Sequence, residues 1–173
     1  MTLPNALSAA RALFVIPVIG LIATGDASLA LFVFLGAAAT DALDGPLARR
    51  RGATAFGATL DPLADKVLVI ATLAALVIRG IAPAWAVFLI IARELVAIEV
   101  RARSPRAVAA SADGKAKTVL QVTAIALLLA TAAWPAAGLA TAANALLVAA
   151  TTLTVLSGVR LVLRAKQTTA DPA

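Results

Sequence analysis

Two side chains that carry much of ordinary enzyme chemistry are missing: the 173-residue sequence has no cysteine and no histidine. Without cysteine there is no disulfide framework, no thiolate nucleophile and no thiolate metal site. Without histidine, any general base or metal ligand must be a carboxylate, a lysine, a hydroxyl or a backbone group. Charge is scarce too, at 14% of residues, against about 25% in ordinary soluble domains. Apolar residues fill the space: they make up 62% of the chain, and the mean hydropathy is +0.98. A chain this short cannot hide such an excess in a water-soluble core, because small domains keep a large share of their surface exposed. Lipid is therefore the expected solvent for much of it. The net charge of +6 raises nucleic acid as a partner. In a lipid-embedded chain, however, basic residues mark cytoplasmic ends and attract anionic lipid or phosphate. Membrane lipid is the expected partner and nucleic acid is not.

A helix crosses a bilayer with about 20 mostly apolar residues. Segments of that kind run over roughly 7–24, 28–49, 56–79, 83–101, 117–134 and 137–163, after a short interfacial segment 1–7. Breakers separate them: Gly25-Asp26, Arg50 to Gly52, Gly80 to Pro83, Ser104-Pro105 and Trp134-Pro135. The expectation is an all-α polytopic membrane protein with six transmembrane helices, forming a single membrane-embedded catalytic domain over residues 1–173. The first segment is apolar enough for a signal peptide. It lacks a cleavage-like polar region and is followed by five more spans, so it is expected to be retained. Arg11, Arg49, Arg50, Arg51, Arg101, Arg103, Arg106, Lys115, Lys117, Arg164 and Lys166 fall at one set of helix ends, whereas the opposite connections hold only Arg79. The positive-inside rule puts both termini and the 50–55 and 102–116 connections in the cytoplasm.

Four carboxylates interrupt the second and third apolar segments. Asp41 and Asp44 are spaced i,i+3 and share a helix face with Gly45 and Ala48. Asp61 and Asp65 are spaced i,i+4, with Gly57 and Ala64 as small neighbours. A short turn joins the two helices, so their carboxylate faces are expected to meet just inside the cytoplasmic surface. An aspartate at the centre of a span costs about 2.5–3.5 kcal/mol on insertion scales, and grouping four adds repulsion that protons or cations must relieve. Helix caps and ion pairs through Arg49 and Lys66 account for one or two of them, not for four. All-oxygen ligation suits Mg²⁺ or Mn²⁺, and two carboxylate pairs suit a two-ion site for phosphoryl chemistry.

The run Asp41-Ala-Leu-Asp44-Gly45-Pro-Leu-Ala48-Arg49, followed by Gly57-Ala-Thr-Leu-Asp61-Pro-Leu-Ala-Asp65, resembles the signature of the CDP-alcohol phosphotransferase family, D-x2-D-G-x2-A-R and then G-x3-D-x3-D. The spacer between Arg49 and Gly57 is one residue shorter than usual. The start, Leu3-Pro4-Asn5 through Arg11, is similar to the family's amphipathic lead into its first helix. The resemblance implies that an alcohol hydroxyl attacks the β-phosphorus of a CDP-linked lipid and CMP leaves. It implies that Asp41, Asp44, Asp61 and Asp65 hold two metal ions, with Asp65 also the general base. Asp44, Gly45, Ala48, Arg49, Thr54 and Gly57 would bind the CDP moiety. It further implies a homodimer in the cell inner membrane, with the active site facing the cytoplasm.

The acceptor alcohol must be chosen by the second half. Arg93-Glu94-Leu95 with Arg101, and Gly114-Lys115-Ala116-Lys117-Thr118 with Gln121, resemble the bacterial phosphatidylglycerophosphate synthases of that family. The implied reaction joins CDP-diacylglycerol to glycerol 3-phosphate, with Arg93, Arg101, Lys115 and Lys117 holding the acceptor phosphate. Phosphatidylglycerol, as in a cardiolipin synthase, is the nearest alternative acceptor, and an inositol phosphate a more distant one. A divalent-cation transporter is the rival from another class, but it should carry its carboxylates near the midplane along a pore. Arg93 and Glu94 lie deep in the fourth segment, so a paired or functional role is expected for them.

Overall fold

The computed structural model describes the backbone of residues 3–51, 55–103 and 112–170, and the side chains of 13–40, 66–100, 117–136 and 138–167. Within them the chain is all α: α1 (Leu3–Thr24), α2 (Ala27–Arg51), α3 (Ala55–Ile78), α4 (Ala84–Arg103), α5 (Ala112–Ala133) and α6 (Ala137–Ala170). Each expected apolar segment is thus one helix, with two differences at the ends. Helix α1 takes in most of the expected interfacial segment by starting at Leu3. Helices α5 and α6 reach beyond the apolar runs, to Ala112 at one end and Ala170 at the other. Apolarity marks where lipid-like surroundings are needed, whereas the backbone hydrogen bonds of a helix continue into polar sequence unless a breaker stops them.

Two turns close one end of the bundle, and both are built on glycine. Gly25 and Gly80 have φ of 91° and 68°, a region that disfavours side chains with a Cβ. After α1, Asp26 N–H donates to Leu21 C=O at 2.9 Å and Gly25 N–H to Ile22 C=O at 3.2 Å. After α3, Ile81 N–H donates to Leu76 C=O and Gly80 N–H to Val77 C=O, both at 2.9 Å. Both are Schellman caps, which satisfy carbonyls that the helix end leaves over. Asp26 then caps α2, accepting from Leu29 N–H at 3.1 Å and Ser28 Oγ–H at 2.9 Å. A Cβ on Gly25 would lie 3.4 Å from Nη2 of Arg79, so the two turns sit side by side.

Helix α1 packs against both α2 and α3, α4 packs on α6, and α5 lies between α2 and α6. The shared core includes Val18 of α1, Phe34 of α2, Leu73 and Leu76 of α3, Ile90 of α4, Ile125, Leu128 and Leu129 of α5, and Leu147 of α6. Several threonines within the helices satisfy their hydroxyls locally. Thr72 donates to Leu68 C=O and Thr151 to Leu147 C=O, both at 2.8 Å, an economy that suits surroundings poor in water. The outer faces are apolar: Ile16, Phe32, Trp85, Phe88, Leu95, Leu156 and Leu163 are all exposed, more than an ordinary soluble monomer presents. Among the described residues, one stretch, Gly138–Gln167, is by itself long and apolar enough to cross a membrane.

Candidate active site

Helix α2 runs unbroken through Asp41, Asp44, Gly45, Ala48 and Arg49, and α3 through Gly57, Asp61 and Asp65. The i,i+3 and i,i+4 spacings are therefore spacings on continuous helices, and each pair shares a face. The donors are carboxylate oxygens alone, in a chain without histidine or cysteine. That set fits a hard divalent cation. The side chains of 41–65 lie outside the described residues, as does Thr54 entirely, so the expected meeting of the four carboxylates falls there too. Arg101 is on α4 and Lys115 on α5, and their side chains also lie outside the described residues.

Arg93 and Lys117, the two residues expected at an acceptor phosphate whose side chains are described, lie in a compact cluster. Glu94 of α4 is 4% exposed and Lys117 of α5 is 6% exposed. Oε1 of Glu94 accepts hydrogen bonds from Nη1 of Arg93, at 2.8 Å, and from Nζ of Lys117, while Lys66 of α3 pairs with Oε2. One carboxylate therefore receives three cationic side chains from three helices. The sequence offered Lys66 as a partner for the aspartates; here its ammonium reaches Glu94, across to the neighbouring helix. The fourth helix enters through Arg93, whose Nη2 donates to Ser157 Oγ of α6 at 2.7 Å. Gly158 lets the arginine stem lie flat against α6, since a Cβ there would stand 2.7 Å from Arg93 Cγ. One turn along, Gln121 of α5 donates to Thr154 Oγ of α6 at 3.1 Å, both buried.

The electrostatics follow from the shared oxygen. Two donors on one acceptor lie within about 5–6 Å of each other, and two unit charges about 5 Å apart repel by about 3 kcal/mol at an effective dielectric of about 20. The carboxylate between them offsets that repulsion, with charge-assisted hydrogen bonds added. Lys66 follows Asp65 directly in the chain, about 1.5 Å further along the α3 axis. Of the paired or functional role expected for Arg93 and Glu94, the paired one is present, as an ion pair with each other, and Lys117, expected at an acceptor phosphate, pairs with Glu94. Ser157 and Gly158 were not singled out in the sequence. A small-residue pair inside an apolar helix was the available signal, since small residues mark close helix approach.

The described helices therefore carry two spaced aspartate pairs along α2 and α3 and a buried ion cluster that joins α3, α4, α5 and α6. The chain belongs to the CDP-alcohol phosphatidyltransferase family, whose sequence pattern matches residues 1–162. It is 42% identical over 136 residues to a probable phosphatidylglycerophosphate synthase of Mycobacterium tuberculosis, covering 77% of this chain and 64% of that one. It is 39% identical over 147 residues to a Bacillus subtilis CDP-diacylglycerol–glycerol-3-phosphate 3-phosphatidyltransferase, covering 73% and 76%. A human cardiolipin synthase (CMP-forming) is 40% identical over 100 residues, covering 56% and 33%. The chain thus spans a little under two thirds of the mycobacterial relative's length.

Proposed function

We propose that the protein is a multi-pass enzyme of the cytoplasmic (cell inner) membrane that transfers the phosphatidyl group of CDP-diacylglycerol to glycerol 3-phosphate, giving phosphatidylglycerophosphate and CMP. The observation that carries the reading is the aspartate signature along α2 and α3, with Lys66, next in sequence after Asp65, held in the Arg93–Glu94–Lys117 cluster. Relatives named for this reaction support it from both bacterial matches. The exposed apolar faces of α1, α2, α4 and α6 support six membrane-spanning helices in one catalytic domain, and the basic residues support an active site on the cytoplasmic side. A homodimer is part of the same proposal, resting on family resemblance.

In this mechanism Asp65 takes the proton of the acceptor hydroxyl. The hydroxyl oxygen then bonds to the β-phosphorus, the bond from that phosphorus to the CMP oxygen breaks, and CMP departs with the electron pair. Asp41, Asp44, Asp61 and Asp65 would hold two Mg²⁺ or Mn²⁺ ions, which supply neutralising charge at the pyrophosphate. Gly45, Ala48 and Gly57 leave room for the nucleotide against the helices, Asp44 and Thr54 complete its site, and Arg49 pairs with a phosphate. Arg93 and Lys117, with Arg101 and Lys115 nearer the helix ends, hold the acceptor's dianionic phosphate. The human match favours phosphatidylglycerol as a second acceptor to test. Membership in a transferase family sets the cation-transporter alternative aside.

The test is incubation of purified protein with CDP-diacylglycerol and each acceptor separately, with identification of the lipid product and of CMP. Phosphatidylglycerophosphate is the expected product. Cardiolipin from phosphatidylglycerol, with no use of glycerol 3-phosphate, would overturn the acceptor assignment and leave the family chemistry standing.

A further inference from the structure

We infer that Glu94 is a positioning residue for the acceptor phosphate: its carboxylate gathers the Arg93 and Lys117 donors into one phosphate-sized group, and Ser157 and Gly158 fix the arginine from the other side. This rests on the proposal that Arg93 and Lys117 hold that phosphate. The observations are local and independent of the aspartate site. Arg93 Nη1 and Lys117 Nζ share Oε1 of Glu94, which keeps two like charges close enough to reach two oxygens of one phosphate. A phosphate arriving there meets donors already ordered, so the cost of arranging two long side chains is met in folding rather than on binding. Glu94 itself, an anion, is a poor direct partner for a phosphate, so it acts through the cations it holds. Arg93 is fixed at three points: Nη1 on Glu94, Nη2 on Ser157 Oγ at 2.7 Å, and its stem against Gly158.

An ion pair serving stability alone needs one cation for its carboxylate and can often be replaced by apolar residues without loss. Here one buried carboxylate collects donors from α3, α4 and α5, and α6 carries a glycine where a Cβ would meet the stem of Arg93. A charge-neutral amide at position 94 keeps the shape but lacks the negative charge that offsets the repulsion between the cations, and it turns a donor or a bare carbonyl toward them. A methyl at position 158 leaves every charge in place yet shifts the arginine. Two unlike perturbations should therefore produce the same kinetic change.

The experiment measures initial rates of the full-length protein in detergent over a grid of CDP-diacylglycerol and glycerol 3-phosphate concentrations. The variants are Lys117→Ala, Glu94→Gln, Glu94→Asp, Gly158→Ala and the Glu94→Gln/Gly158→Ala pair, each checked for folding by melting and size exclusion. Glu94→Gln and Gly158→Ala are each expected to raise the acceptor KM about tenfold, the scale of one lost charge-assisted hydrogen bond, with the CDP-diacylglycerol KM within about twofold of wild type. The pair should fall short of the product of the two single effects, because both act on Arg93, and Glu94→Asp should restore part of the affinity. A fall in acceptor KM in Glu94→Gln would mean that the carboxylate only repels the phosphate, and the inference is overturned. It is equally overturned by acceptor KM values that stay at wild type in Glu94→Gln and Gly158→Ala while Lys117→Ala raises its own. A wild-type acceptor KM in Lys117→Ala refutes the acceptor site itself, and the positioning role with it. Should Glu94→Gln not fold, Gly158→Ala decides alone, since it leaves the ion cluster's charge intact.

Discussion

Replacing Glu94 by alanine should be strongly destabilising, on the scale of truncating a large core side chain, and its size can be worked from the cluster. The side chains involved are 5% exposed for Glu94, 8% for Lys117, 9% for Arg93 and 18% for Lys66, so solvent screens them weakly. Removing one partner from a buried ion pair costs about 3–5 kcal/mol, and the repulsion released between Arg93 and Lys117 is of the same order. In a chain of this length about 1 kcal/mol moves the melting temperature by about 2–4 °C, so Glu94→Ala should melt about 6–20 °C below wild type in the same detergent. Glu94→Gln separates charge from volume, because it fills the space and removes only the charge. It should recover little if charge is the cause. Lys117→Met in the Glu94→Ala background should recover several degrees, since it removes one of the stranded cations and keeps an unbranched chain in place. A Glu94→Ala protein melting within about 2 °C of wild type would sink the reasoning. So would a double variant no better than the single, because the loss would then come from the cavity.

Activity should vanish in excess chelator and return with Mg²⁺ or Mn²⁺; full turnover in verified metal-free conditions refutes the two-ion proposal. Asp65→Asn should lower kcat by about 10²–10⁴-fold, the usual worth of a general base, with nucleotide-lipid binding kept, whereas Asp44→Asn should weaken that binding. Near-normal turnover in Asp65→Asn would assign the base elsewhere. Gly80→Ala should cost about 1–2 kcal/mol from its left-handed backbone alone, read as a lower melting temperature with unchanged KM values. An unshifted melt would mean that the turn relaxes freely.

The six helices and their breakers were readable because glycine and proline interrupt long apolar runs, and a left-handed C-cap asks for glycine. Their extensions were not: no continuous apolar run marks residues 3–6, 112–116 or 164–170 as helix, yet the backbone ladder continues there. Chain adjacency suggested α2 beside α3, a packing that is not among the main helix contacts of the described residues. It did not announce that α1 packs on both of them, a choice made by side-chain fit across helices rather than by turn length. In the site, Arg93 and Glu94 were conspicuous as charges deep in an apolar segment, and Lys117 stood in a recognisable motif. Ser157 and Gly158 were not legible, because their role is a contact with Arg93 more than sixty positions away in sequence. Lys66 was half-read: its need for an anionic partner was plain, but Glu94 on the next helix was not a neighbour that sequence spacing could supply.

The apolar outer faces bear on how a lipid substrate arrives. Drawing two acyl chains of about 30 methylenes in all out of the bilayer would cost more than 20 kcal/mol at about 0.8 kcal/mol per methylene. An enzyme that had to extract its donor in that way would be slow at every turnover. An apolar outer surface removes that need; on α6, for example, Leu156, Val159 and Leu163 face outward and Thr154, Ser157 and Gly158 face its neighbours. The tails of the proposed donor can stay in the oily phase while only the headgroup leaves it. Encounter then becomes a search within the plane of the sheet of lipid, and the rate at which donor is met depends on its mole fraction in that sheet, not on its amount per volume of cell.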